Sequence, residues 1–461
     1  MGLAANLMEP GASPQGRHLL DTIKGFDSER EGIEAYALIE ELYPICRSIT
    51  GDGLRRSLRL LQETIPLELH EVPSGTQVFD WTVPKEWNIQ DAYIKNSAGE
   101  RVVDFQQNNL HVLNYSIPVH RTIPRAELIP HLFTLPETPE WIPYRTSYYK
   151  ETWGFCISQR QLERMDENEY EICIDSTLEP GHLTYGEYRL QGASDEEVLI
   201  SSHSCHPSLC NDNLSGMATA ARLARLLSCV SSLRYSYRFL WIPGTIGSIT
   251  WLAKNESILP RIKHGLVLSC VGDRGPFTYK RSRRGNAQID RAVEHVLLHS
   301  QRPFQVIDFV PYGYDERQYC SPGINLPMGC FMRTRNGCYP EYHTSADDLR
   351  FVTASSLAET LDRMLRVIQV LEEACHYLNL NPKCEPQLGR RGLYRRMGGI
   401  IEAAGEMAAL WVLNLSDGRN DLLDIAVRSG IPFADISDAA DALQSVGLLE
   451  SISTISPWAA K

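Results

Sequence analysis

Within residues 201–216, SSHSCHPSLCNDNLSG, two histidines stand three apart, two cysteines five apart, and an Asp-Asn pair precedes Ser-Gly. His203 and His206 offer neutral nitrogen and Asp212 anionic oxygen, a donor mixture suited to Zn²⁺. A catalytic zinc usually takes three protein ligands, and PEYHTSADD adds a further imidazole, His343. Each residue alone has a plainer reading. A single histidine is more often hydrogen-bonded in a core or loop, and Asp212 could cap the helix that follows. Cys205 and Cys210 are more simply small buried hydrophobes, and their offset does not match a zinc knuckle. Cys205 beside a histidine could also be a nucleophile. The ordered combination of two histidines, an aspartate and a distant His343 favours metal ligation.

Hydrolysis at such an ion also needs a proton acceptor. YGYDERQY supplies Asp315 and Glu316, whose alternative reading is a loop charge balanced by Arg317. Glu341, just before His343, is a further carboxylate that could support a ligand. Arg333 and Tyr342 could bind a substrate carboxylate or polarise a carbonyl, or merely solvate and pack. The basic run KRSRRG, residues 280–285, reads first as an exposed turn. There is no Gly-x-Ser-x-Gly elbow, GTIGS lacks the lysine of a phosphate loop, and no Cys-x-x-Cys occurs.

Secondary-structure patterning places these residues. Residues 1–31 read as a loose N-terminal arm. Ala35, Leu38, Ile39 and Leu42, then Leu54, Leu58, Leu61 and Ile65, recur at helical spacing and predict two helices. Residues 72–190 are rich in Pro, Trp and Tyr with short β-type runs, and read as an inserted β-rich module. From residue 191 to 380, EEVLISSH, GMATAARLARLLSCV, YSYRFLWIP, GSITWLAKNESI and HGLVLSCVG alternate strand and helix, implying a parallel α/β sheet. Functional loops of such a sheet lie beyond the C-terminal strand ends, where the His-Asp stretch falls. Together with residues 32–71 this forms one domain. Residues 386–461 carry three short helices in winged-helix style.

The motif order sharpens this reading. HSCHPSLCNDNLSG, PGTIGSITWLAKN, YGYDERQYCSPGINLP and YHTSADDL together resemble zinc exopeptidases of the aminopeptidase Y and glutamate carboxypeptidase type. More closely they resemble a divergent bacterial branch first classed as a domain of unknown function, with an aminopeptidase-like domain, an inserted small domain and a C-terminal winged helix. The resemblance covers residues 32–455. It implies an α/β fold with a zinc-exopeptidase-like mixed sheet flanked by helices. It implies Asp212 and His343 as metal ligands with His206 or His203 as the third, Glu316 as the leading base, and Asp315 next. Dinuclear relatives carry Glu-Glu before the Gly-Ser segment, where this chain has Trp241 and Ile242. The aspartate expected after the third strand is replaced by Ser269 and Cys270, with Asp273 slightly later. One Zn²⁺ is therefore expected rather than two.

The 461 residues include 45 Lys and Arg against 57 Asp and Glu, a net charge of −12, which repels nucleic acid and anionic membrane. The acidic C-terminal stretch with Asp435, Asp438 and Asp441 points to packing or homo-oligomerisation rather than DNA contact. No apolar run approaches the roughly 20 residues of a spanning helix. The N-terminus lacks a signal-type core, and the 12 cysteines are not spaced as a disulfide scaffold, so a cytoplasmic location is expected. The functional expectation is a zinc-dependent aminopeptidase-like hydrolase acting on a peptide or small amide. Its alternative is a metal-binding or partner-binding scaffold that lost catalysis with the two glutamates.

Overall fold

A computed structural model describes residues 18–393 and 404–452. Its centre is an eight-stranded mixed sheet: β1 (Glu68–Pro73), β2 (His182–Leu190), β3 (Glu197–His203), β4 (Ser236–Ile242), β5 (Ile262–Leu268), β6 (Phe277–Lys280), β7 (Phe304–Ile307) and β8 (Met328–Met332). The spatial order is β1-β2-β4-β3-β5-β8-β6-β7. β4, β3, β5 and β8 run parallel, while β1, β2 and β6 introduce antiparallel pairings. β3 is buried along its whole length, as expected for a central strand covered on both faces.

Side chains alternate between two cores. Val198, Ile200, Phe239 and Trp241 face a layer containing helices α1 (Ser28–Leu42), α3 (Ser215–Ser228), α5 (Gln288–Leu298) and α6 (Ala354–Glu373). Leu199, Leu240 and Ile242 face the inserted module and helix α4 (Ile246–Lys254). The second predicted helix, α2 (Asp52–Gln62), buries Leu54, Leu58 and Leu61 as its spacing requires.

The inserted module is a four-stranded antiparallel sheet in the order Arg101–Asp104, Glu86–Lys95, Glu169–Glu179, Val119–Pro124. Its expected limits of 72 and 190 shift, because β1 reaches Pro73 and β2 begins at His182, and both belong to the central sheet. The N-terminal arm is also shorter than expected. Leu19–Lys24 is helical, and α1 starts at Ser28 because the Asp27 side chain accepts the Arg30 N–H. Residues 1–17 lie outside the described part.

At the C-terminal end, His376–Asn379 pairs with Asp417–Asp421 and Leu449–Ile452 in a three-stranded sheet. The winged-helix unit thus begins before residue 386 and takes a strand assigned by pattern to the larger domain. Its helices are Ala404–Leu415, Leu422–Ser429 and Phe433–Ser445. No helix among the described residues is long and apolar enough to cross a membrane.

Candidate metal centre

β3 ends at His203 and α3 begins at Ser215, so the intervening loop opens at the C-terminal edge of the parallel strands. Ligand-capable atoms of His203, His206 and Asp212 lie within 4.8 Å of one another, all buried. His203 Nε2 is 2.8 Å from Asp212 Oδ1, and His343 Nε2 is 2.9 Å from Asp212 Oδ2. The His206 ring centroid is 5.0 Å from that of His203 and 5.1 Å from that of His343. The four side chains expected to form a metal site are thus brought together.

The loop is pinned by groups the sequence reading did not single out. Asp347 Oδ1 accepts the Asn211 N–H at 2.6 Å and Oδ2 the Asp212 N–H at 2.9 Å. Arg47, wholly buried, donates to the His206 carbonyl at 3.0 Å. Asn213 fixes His203. Its Oδ1 accepts the Cys270 N–H and its Nδ2 donates to the Leu268 carbonyl, so the amide has only one possible orientation. That orientation presents Nδ2 to His203 Nδ1 at 3.2 Å. Nδ2 also faces the Ser202 hydroxyl and the Leu268 carbonyl, and the arrangement is compatible with a His203 proton on Nε2, toward Asp212. His206 differs: its Nδ1 has only a weak 3.8 Å contact with the Cys205 sulfur.

Electrostatics suit this division. Burial pushes His206 well below its ordinary pKa, leaving a neutral imidazole with a lone pair. Burial opposes charge on Asp212, but the surrounding His206, His203 and His343 outweigh it and hold the carboxyl well below the usual range. Two imidazoles and a carboxylate form a donor set appropriate to a borderline divalent cation. Burial pushes the Cys205 thiol up to about 12, which disfavours the thiolate that a nucleophile needs. Cys270, on the loop after β5, places its sulfur 3.8 Å from Asp212 Oδ1, while Asp273 is occupied with Asn211 and Thr334.

His206 and His343 line a cavity of about 450 Å³ with Tyr144, Tyr148, Tyr314 and Arg317. Tyr144 comes from the inserted module and sets its ring edge-on to both histidines, 5.1 and 5.2 Å away. Its N–H donates to the His343 carbonyl, and Ser345 N–H donates to Ile142, so the module and the late histidine loop are stitched together. Tyr314 packs its ring, tilted by 33°, against His203 with centroids 3.7 Å apart, in space that Gly244 leaves open.

The expected carboxylates are placed differently. Glu316 is buried in an ion pair with Lys280 and accepts the Tyr314 N–H, and Gly313 at φ +148° lets its carboxylate approach the backbone. Glu316 and Tyr342 line a separate cavity, although Tyr342 also stacks on His343 at 3.9 Å. Asp315 is fully buried. Its Oδ1 accepts from Ser248 at 2.7 Å, Oδ2 has no partner, and burial raises its pKa to about 6. Arg333 is bound to Gly275, Ser356 and Glu359 and is not among the residues around His206 and His343. The KRSRRG run is spent on internal partners: Lys280 on Glu316, Arg281 on Glu294 and Asp308, Arg283 and Arg284 on Asn325.

Residues 36–374 match the family described as "Domain of unknown function (DUF4910)". The chain belongs to this DUF4910 family. Residues 375–451 match a winged helix-turn-helix family, in agreement with the strand at His376–Asn379. A Clostridium acetobutylicum protein, provisionally described as a polysaccharide biosynthesis protein with an aminopeptidase-like domain, is 55% identical over 92% of this chain and 98% of its own. A crystal structure from the same organism, provisionally described as a peptidase, superposes with a TM-score of 0.90 at 53% identity, over 94% of this chain and 99% of its own. A Bacillus subtilis zinc aminopeptidase shares the fold at 12% identity, with a TM-score of 0.54 over 74% of this chain and 95% of its own. This DUF4910 chain therefore has an aminopeptidase-like α/β fold followed by a winged helix.

Proposed function

We propose that this DUF4910 protein is a metal-dependent hydrolase that cleaves an N-terminal residue or a related amide, with His206, Asp212 and His343 holding one zinc-class ion. The observation that carries this reading is the convergence of the buried His203 and the part-buried His343 imidazoles on the buried Asp212 carboxylate beside a tyrosine-lined cavity. When bound, such an ion supplies Lewis-acid polarisation of a carbonyl and acidifies water. His203 is a positioning residue: with its proton on Nε2 it holds Asp212 Oδ1, and Asn213 lies against its Nδ1. Proton acceptance is assigned to Asp315 rather than Glu316. The former titrates near neutrality and has an unpaired oxygen, whereas the latter is neutralised by Lys280. Tyr144, Tyr148 and Tyr314 limit water around the histidines.

One observation favours the scaffold reading instead: no Asp or Glu is among the residues lining the His206–His343 cavity. Incubation of zinc-loaded protein with a panel of aminoacyl anilides, dipeptides and N-acyl amino acids separates the two. Release of amine, lost on Asp315→Asn, supports the hydrolase. No cleavage anywhere in the panel at full zinc occupancy defeats it.

A further inference from the structure

The cavity beside the candidate metal centre has a one-sided charge. Arg317 and Arg145 line it together with His206 and His343, and no acidic side chain does. Arg317 forms no hydrogen bond or ion pair among the described residues, and its Nε is buried without a partner. Of the two acids just before it, Glu316 is paired with Lys280 and Asp315 directs one oxygen to Ser248; Asp315 feels the Arg317 charge but forms no ion pair with it. A partly buried guanidinium loses hydration without gaining a protein acceptor, an arrangement that favours an anion supplied from outside. Arg333, Arg281, Arg283 and Arg284, by contrast, already have protein partners. Around the guanidinium, Trp81, Tyr148, Tyr149, Ile246 and Ile249 provide an apolar and aromatic wall.

We propose that the substrate carries a carboxylate on an apolar or aromatic residue, and that Arg317, with Arg145 at the opening, receives it. Arg317 is thereby a specificity-determining residue. The inference rests on the hydrolase reading for the word substrate, but the anion site itself is read by binding alone. A planar guanidinium matches a carboxylate through two parallel N–H···O bonds, which a lysine cannot reproduce.

The test uses full-length, zinc-loaded protein with L-leucyl-L-tyrosine and L-leucyl-L-tyrosinamide, which differ only in the terminal charge. Affinity is read by calorimetry, and cleavage is scored separately by chromatography of the same mixtures. The carboxylate form is expected to bind at least about tenfold more tightly, the scale of one charge-assisted hydrogen bond. Arg317→Gln should erase that ratio, Arg317→Lys should keep part of it, and Arg366→Gln on α6 should leave it unchanged. Equal binding of the two forms, a preference that survives Arg317→Gln, or no binding of either at millimolar concentration overturns the proposal. Cleavage without a carboxylate preference overturns it while leaving the hydrolase reading intact. An Arg317-dependent preference without cleavage upholds it as a binding site and leaves the hydrolase reading to the substrate panel above.

Discussion

His206 and His203 sit three residues apart and do different work. His206 has a neutral ring with no strong protein partner, whereas His203 is committed to Asp212 through Nε2 and faces a donor through Nδ1. His206→Ala should therefore lose bound metal, while His203→Gln, which keeps an N–H toward Asp212, should retain close to one ion per chain. Plasma mass spectrometry of the purified variants decides this, and the opposite pattern would make His203 the ligand. Asp315 yields a pH prediction. Its folded pKa of about 6 lies above the unfolded carboxylate value, so the native state holds more protons between roughly pH 4 and 6. Its contribution is nil below about pH 4, grows destabilising as pH rises from about 4 to 6, and levels off above 6 at about 3 kcal/mol. Urea denaturation of Asp315→Asn should show a shallower fall in stability over that interval than the parent. The meeting of His203, His206, Asp212 and His343 was legible in sequence because their segments follow strands of one parallel sheet, whose loops open on one edge. What spacing could not reveal was Lys280 claiming Glu316, since those residues meet only through the fold.

At the scale of elements, the site depends on loops that support one another. Asp347, only four residues after His343, satisfies two backbone N–H groups of the loop carrying Asp212. Asp347→Ala would leave both donors buried and unpaired, at a cost of about 2–4 kcal/mol. Reduced chemical stability together with loss of metal is the expected pair of results; unchanged metal affinity would show that the loop holds its shape without Asp347. The α/β order was readable because strand and helix patterns alternate cleanly from residue 197 to 268. The boundaries were not, for a physical reason. The strands at 169–179 and 182–190 both look β-like and are separated by a tight Pro180-Gly181 turn, so composition cannot say that they join different sheets. Likewise HYLN at 376–379 is too short to declare its partner. Tyr144 illustrates the same limit: in sequence it belongs to the inserted module, yet its backbone pairs with the His343 loop and its ring walls the cavity.

Across the whole molecule, the winged-helix unit is packed into the same apolar core as the larger domain. Leu371 on α6 and Ala374 just beyond it belong to one buried cluster with Tyr377, Val412, Leu423, Ile425, Phe433 and Ile436 of the winged-helix unit. Arg291 pairs with Asp424, and Ser437 donates to Glu373, across the same junction. The helix Phe433–Ser445 thus turns Phe433, Ile436, Ala440 and Leu443 inward, and carries Asp435, Asp438 and Asp441 with no lysine or arginine. A helix so composed would meet DNA phosphate with repulsion, so its apolar face is better explained by packing. Two measurements follow from the shared core. Calorimetry should give a single unfolding transition whose van't Hoff and calorimetric enthalpies agree, because exposing the junction would uncover apolar surface of both units. A chain ending at residue 374 should aggregate rather than remain soluble. If instead two separated transitions appear and the truncated chain stays monomeric, the winged helix is an independent domain. Salt-dependent DNA titration would then become the experiment that assigns its partner.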